Sequence, residues 1–250
     1  MLIQINIIIK LGGINIMSHV LAEFVGTALL VYLGDSICAN CTLNKSKGQN
    51  AGWIVIAAGW GFAVGIPAYL FSNFSNQFNP ALTIGLAVIG KFPWAEVPGY
   101  VVAQMVGGII GGVFVWLTYL PHWGITEDKA AKLGIFCTAP AVRNYPANFL
   151  TEFLATATLV FSLAAMGTVK TADGMGSIIV VSAIIFVLGC ALGGPTGYAM
   201  NPARDLSPRI AHAILPIAGK GDSDWAYAWV PVFGPIAGGI AGALLFAVIF

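Results

Sequence analysis

The tripeptide Asn-Pro-Ala occurs twice, at Asn79-Pro80-Ala81 and at Asn201-Pro202-Ala203. Asn is a favoured helix N-cap, and Pro suits the first helical position because its missing N–H is not needed there. Each copy therefore opens a helix. The apolar stretches that follow, Asn79–Gly90 and Asn201–Leu215, are too short to cross a bilayer, which takes about 20 apolar residues. Six other segments are long enough: Leu21–Ala39, Trp53–Phe71, Val97–Tyr119, Phe149–Val169, Ser177–Leu192 and Trp225–Phe250.

These segments repeat. AEFVGTALLV (22–31) matches TEFLATATLV (151–160) at six of ten positions, FNPAL (78–82) matches MNPAR (200–204), and GGIIGG (107–112) matches GPIAGG (234–239). The copies lie 129, 122 and 127 residues apart and in the same order, which chance does not produce. Each half reads span, span, half-helix, span. Three crossings is an odd number, so the second half enters the membrane from the opposite side. The expected organisation is an N-terminal extension (1–20), a first repeat (21–120), a connecting loop (121–148) and an inverted second repeat (149–250).

Composition agrees with a membrane protein. Of 250 residues, 58% are hydrophobic and 8% charged, against about 25% charged in a soluble domain. A net charge of +1 gives no basis for a nucleic-acid partner. Cys38 and Cys41 have CxxC spacing, but no second pair or His cluster completes a metal site, and they read as packing residues. His19, His122 and His212 accompany no nucleophile, so neither an enzyme nor a cofactor is expected; His212 is expected to pack on the second half-helix. The N-terminal MLIQINIIIKLGGINIM lacks the features of a signal peptide, and Met17 reads as an alternative start with residues 1–16 outside the fold. The GxxxG rows around Gly107–Gly112 and Gly234–Gly242 are expected to let spans three and six cross closely.

Short half-helices at matching places in two inverted halves mark a membrane transport site. Irregular backbone at that depth must be buried in protein or line a watery cavity. If the two tips meet at the midplane, Asn79 and Asn201 sit together, each at a positive helix end. The turns before them, Ser75-Asn76-Gln77-Phe78 and Tyr198-Ala199-Met200, then offer carbonyl acceptors along a path. Acceptors on the wall and a positive field at the centre suit small neutral solutes with hydroxyls. One Asn-Pro-Ala alone reads as no more than a good helix start; two in register do not.

The twin Asn-Pro-Ala motifs, the repeated Glu-Phe and the run Asn-Pro-Ala-Arg-Asp resemble the major intrinsic proteins, the aquaporins and glycerol facilitators, from Leu21 onward. Asp205 and the long stretch after it resemble the aquaglyceroporin branch. The resemblance implies an all-α membrane protein: a right-handed bundle of six transmembrane helices with two re-entrant half-helices. It implies a homotetramer with one pore per chain, in the plasma membrane, with a cytoplasmic N-terminus.

It also implies roles. Trp60, Gly189, Tyr198 and Arg204 would form the narrow filter. Two aromatic faces would hold a carbon backbone, Arg204 would bind hydroxyls and repel cations, and Gly189 would leave room for a ring. Arg204 opposes the helix dipole in the first turn of its half-helix, and a charge in a span normally faces a cavity. Read locally, Trp60 is ordinary packing and Arg204 a snorkelling side chain. Asp205 would support the filter by offsetting Arg204 or pairing with Arg209 at i, i+4. Glu23 and Glu152, in equivalent places, would hold the loops before the half-helices; read alone they are first-turn carboxylates or proton carriers.

Two departures stand out. Tyr198 replaces the Phe common in glycerol facilitators, and the loop before the first Asn-Pro-Ala is one residue shorter than the family's Ser-Gly-Ala-His-x, with Gln77 in place of the His contact. The cargo expected is glycerol, water and similar uncharged molecules, with urea and undissociated lactic acid among them. The rival reading is a proton-coupled carrier using Glu23 or Glu152. The implied orientation puts Lys10, Lys91 and Lys170 inside and Lys45, Lys47, Lys129, Lys132, Arg143, Arg209 and Lys220 outside, against the positive-inside rule.

Overall fold

The computed structural model describes residues 18–169 and 174–250. The expectations about Met17 and residues 1–16, and the positions of Lys10 and Lys170, lie outside the described residues. Among those described there is no strand. Six helices are long and apolar enough to span a membrane: α1 (His19–Thr42), α2 (Trp53–Leu70), α4 (Val97–Thr118), α7 (Tyr145–Met166), α8 (Gly174–Thr196) and α10 (Val230–Ile249). The half-helices are α3 (Pro80–Val88) and α9 (Pro202–Ile214). Each is capped by its Asn and opened by its Pro.

Several span boundaries moved by three to five residues, α7 among them beginning at Tyr145 rather than Phe149. Residues 225–229 form turns before α10 begins, although their aromatic character extends the hydrophobic run. α8 continues past Leu192 to Thr196, carrying Gly193, Gly194 and Pro195 in its last turn. The connecting loop holds α5 (Leu120–Trp123) and α6 (Lys129–Phe136), which are far shorter than a span and leave no hydrophobic signature of membrane length.

The packing follows the repeat. α1 packs on α4 as α7 packs on α10; α9 packs on α4 as α3 packs on α10; α2 and α8 pack on each other. Each half-helix is therefore held by the third span of the other repeat.

The glycine rows make this possible, though not by bringing spans three and six together. α4 and α10 make no extended contact. One side of each row receives the first span of its own repeat: a Cβ at Gly111 would lie 2.7 Å from the carbonyl oxygen of Ala28, and one at Gly238 would lie 2.2 Å from that of Phe153. The other side receives a half-helix: a Cβ at Gly108 would lie 2.9 Å from the Ala203 oxygen, and one at Gly239 would lie 2.5 Å from the Ala81 oxygen. Only a residue without Cβ permits these approaches, as is usual for helix contacts in membranes. Large apolar side chains such as Ile54, Phe62, Val102, Leu154, Val187 and Leu245 are exposed on the outer faces of the spans.

Candidate functional site

The half-helix tips meet. The side-chain oxygen of Asn79 accepts from the backbone N–H of Ala81, at 2.9 Å, and caps α3. Its Nδ2 donates to the carbonyl of Met200, at 2.9 Å, in the other half. Asn201 does the same in mirror: its oxygen accepts from Ala203 N–H at 2.9 Å, and its Nδ2 donates to the Phe78 carbonyl at 2.8 Å. Each amide has two N–H bonds, so one remains for the cavity that both residues line.

The loops leading to these tips are strained. Phe78, Tyr198 and Met200 have φ of 50°, 43° and 50°, a left-handed region that non-glycine residues rarely enter. Such backbone persists only where its surroundings over-determine it. Two buried carboxylates do so here. Glu23 Oε1 accepts from Ser75 Oγ (2.5 Å) and Gln77 N (2.8 Å), and Oε2 accepts from Phe78 N (2.7 Å) and Gln104 Nε2 (2.7 Å). Glu152 Oε1 accepts from Thr196 Oγ1 (2.6 Å) and Ala199 N (3.0 Å), and Oε2 accepts from Met200 N (2.9 Å). Ser75 and Thr196 thus play matching parts. Four positions separate Ser75 from Asn79, but five separate Thr196 from Asn201. The first loop is one residue shorter than its internal counterpart.

Three cavities follow one another through the chain. The central one, about 50 Å³, is lined by Asn79, Asn201, Gln77, Ala199 and Met200 on one side and by apolar residues such as Leu30, Leu159 and Ile185 on the other. It shares Trp60, Tyr198 and Arg204 with a wider vestibule of about 240 Å³. It shares Val64, Gln77, Leu82 and Leu163 with a second vestibule of about 450 Å³, where Asn76 and Phe78 also lie. Ser75 is not part of this lining; its hydroxyl is turned to Glu23.

Where the central cavity adjoins the first vestibule, the guanidinium carbon of Arg204 lies 3.9 Å from the Trp60 ring centroid. Arg204 is only 7% exposed, and its Nη1 has no hydrogen-bond partner among the described residues. The Tyr198 hydroxyl, also buried, is likewise unpartnered. Gly189 lies behind Tyr198: a Cβ there would sit 2.7 Å from the phenol Cζ. Trp53 fixes this corner by donating its indole N–H to the Gly189 carbonyl at 2.9 Å and by packing edge-on to Tyr198. Gly34 makes room for Trp60 in the same way, at 2.3 Å. The indole N–H of Trp60 points at Cys38 Sγ, 3.3 Å away.

Asp205 does not offset Arg204 by contact. It forms the i, i+4 pair: Oδ1 accepts from Arg209 Nε (3.0 Å) and Nη2 (2.9 Å), and Oδ2 accepts from the backbone and side chain of Thr138, both at 2.7 Å. Arg209 also donates to the carbonyls of Thr138, Ser223 and Asp224. This buried cluster ties α9 to two loops beside the vestibule. His212, on the same helix, packs against Phe136 and bonds to Ser223 Oγ at 2.9 Å. At its far end Lys220 donates to the carbonyls of His212, Ala213 and Leu215, at 2.6–2.7 Å, closing the C-terminus of α9.

One residue escaped the sequence reading. Asp35, fully buried in α1, places Oδ1 3.5 Å from Arg204 Nη1. The available signal was an ionisable residue inside a span, which is costly and functional by default.

Two half-helices set tip to tip across a path, inside a six-span bundle of inverted repeats, define a membrane channel of the re-entrant type. The chain belongs to the Major intrinsic protein family, whose profile matches residues 10–246. It is 56% identical over 219 residues to a probable glycerol uptake facilitator protein of Thermotoga maritima, covering 87% of this chain and 93% of that protein. It is 55% identical over 232 residues to glycerol uptake facilitator protein 3 of Lactiplantibacillus plantarum, covering 92% and 96%. A D/L-lactic acid transporter of the same organism is 40% identical over 212 residues, covering 84% and 87%. Among solved structures, the aquaglyceroporin from Plasmodium falciparum superposes with a TM-score of 0.79 at 26% identity, covering 92% of this chain and 95% of that one.

Proposed function

We propose that this protein lets glycerol, water and other small uncharged solutes diffuse down their gradients, through one pore per chain. The observation that carries this reading is the constriction itself. Trp60 and Tyr198 supply aromatic surface for a carbon backbone, and Arg204, a hydrogen-bond donor, lines the same cavity. Deeper in, Asn79 and Asn201 each keep one N–H for the passing hydroxyl. The positive ends of α3 and α9 then oppose cations. Relatives named as glycerol facilitators over nearly the whole chain support the same cargo.

Undissociated lactic acid is a second cargo, supported by the relative named for it and by the added hydroxyl of Tyr198. Urea fits the same donor and acceptor pattern. A proton-coupled mechanism finds little support: both oxygens of Glu23 and of Glu152 already accept from loop groups, so these carboxylates act as anchors.

We read the channel as a homotetramer of the plasma membrane with a cytoplasmic N-terminus, as the family resemblance implies. The charge count against that orientation loses force because Lys132, Arg143, Arg209 and Lys220 are each bound to carbonyls or carboxylates of the chain itself. Stopped-flow swelling of proteoliposomes tests the function: glycerol entry should be gradient-driven and non-saturating, and entry that needs an ion gradient would overturn it. Native mass spectrometry and labelling of single cysteines test assembly and sidedness.

A further inference from the structure

We propose that Asp35 sets the charge selectivity of the constriction, acting through Arg204 to cancel its positive charge so that neutral solutes pass without an anion leak. This deepens the reading of a neutral-solute channel and rests on it.

The carboxylate of Asp35 differs from the other buried carboxylates. Glu23, Glu152 and Asp205 each hold backbone or hydroxyl donors on both oxygens. Neither oxygen of Asp35 receives a hydrogen bond from the described residues. It anchors no loop and caps no helix. Burying such a group is unfavourable unless a charge answers it, and among the described residues its one ion pair is with Arg204. The Asp205–Arg209 pair nearby is satisfied by its own bonds and leaves no charge over.

Asp35 lines neither the central cavity nor the adjoining vestibule, so it does not touch the solute. Arg204 lines both. Its guanidinium has Trp60 against one face and the Asp35 Oδ1 3.5 Å from Nη1, close enough to balance its charge. Without Asp35, Arg204 and the two helix N-termini would form a cluster of one sign in a narrow, low-dielectric passage. Such clefts concentrate counter-ions. The chain would then draw anions into the same space that admits polyols. With Asp35 the guanidinium remains a hydrogen-bond donor but not a net charge. Asp35 is thus a positioning and charge-balancing residue for the filter.

The test uses proteoliposomes of the full chain carrying wild type, Asp35→Asn, Arg204→Gln and the double variant. Glycerol swelling and the reversal potential in a potassium formate gradient are measured on the same preparations. Asp35→Asn should raise formate permeability relative to potassium by about tenfold or more, and Asp35→Glu should restore the wild-type ratio. Arg204→Gln should shift the ratio toward potassium, and the double variant should return it. An unchanged ratio in Asp35→Asn, with glycerol still passing, would overturn the proposal. If Asp35→Asn does not reach the bilayer, the comparison of Arg204→Gln with the double variant decides: equal ratios would overturn it. Wild-type vesicles impermeable to glycerol would instead overturn the channel reading.

Discussion

Asn79 donates to the carbonyl of Met200, and Asn201 donates to that of Phe78, so each half-helix caps itself and clasps the loop that leads to the other. The two halves are locked at their tips by groups that also face the path. Replacing Asn201 by Ala removes a cap, at about 0.5–2 kcal/mol, and leaves the Phe78 carbonyl without its amide donor, at about 1–3 kcal/mol. Asn201→Ser keeps a capping oxygen but not the reach across. Thermal unfolding in detergent should rank wild type above Asn201→Ser, and Asn201→Ser above Asn201→Ala. Because both asparagines belong to one clasp, the Asn79→Ala, Asn201→Ala pair should fall short of additivity.

Glutamine at Glu23 or Glu152 separates an anchor from a proton carrier. Each carboxylate accepts only, and an amide nitrogen would face N–H or O–H donors on the loop. One repelled donor in a buried site costs about 1–3 kcal/mol. Glu152→Gln should therefore lower yield and permeability to glycerol and water alike. Wild-type glycerol entry should be the same with and without a protonophore. A protonophore that slowed entry would restore the carrier reading.

Much of this arrangement was legible because the chain states it twice. The Asn-Pro-Ala pair and the Glu pair each appear in both halves, so position and partner follow from the repeat. The i, i+4 spacing of Asp205 and Arg209 made their pairing one of the two roles open to Asp205. Asp35 has no copy in the second half and no local partner, and its link to Arg204 exists only once α1 lies beside α9. The glycine rows showed close packing but not the neighbour, since GxxxG spacing names no partner. α5 and α6 escaped notice because the hydrophobic signal of a span does not register helices of eight residues or fewer.

The Asp205–Arg209 pair should behave as a buried ion pair. Both side chains are fully buried. Removing one partner of such a pair costs about 3–5 kcal/mol, because the other charge is stranded. Asp205→Ala should abolish or sharply reduce folded protein. The double variant Asp205→Ala, Arg209→Met removes the stranded charge, although it also frees the carbonyls of Thr138, Ser223 and Asp224. Detergent-extracted yield and Tm should be higher for the double than for Asp205→Ala alone. The opposite order would mean that Arg209 matters more as a clamp on the loops than as a counter-charge.

Gly189 offers the sharpest test of the narrow point. Its Cβ would lie 2.7 Å from Tyr198 Cζ and 2.9 Å from the hydroxyl oxygen, too close to remain. Trp53 packs on the ring and bonds to the Gly189 carbonyl, so retreat on that side is blocked. The ring must move toward the cavity it lines, toward Arg204 and Trp60. Overpacking of this kind costs about 1–3 kcal/mol when the fold absorbs it; here part of the adjustment narrows the path. Adding about 1.4 kcal/mol to the barrier slows passage about tenfold. Glycerol, wider than water, should lose about that factor in Gly189→Ala, while water flux falls much less. Combining Gly189→Ala with Tyr198→Phe removes the hydroxyl and should recover part of the glycerol flux. Equal losses for both solutes in stopped-flow swelling would place the narrow point elsewhere, with Gln77 and Leu82 at the second shared boundary the next residues to replace.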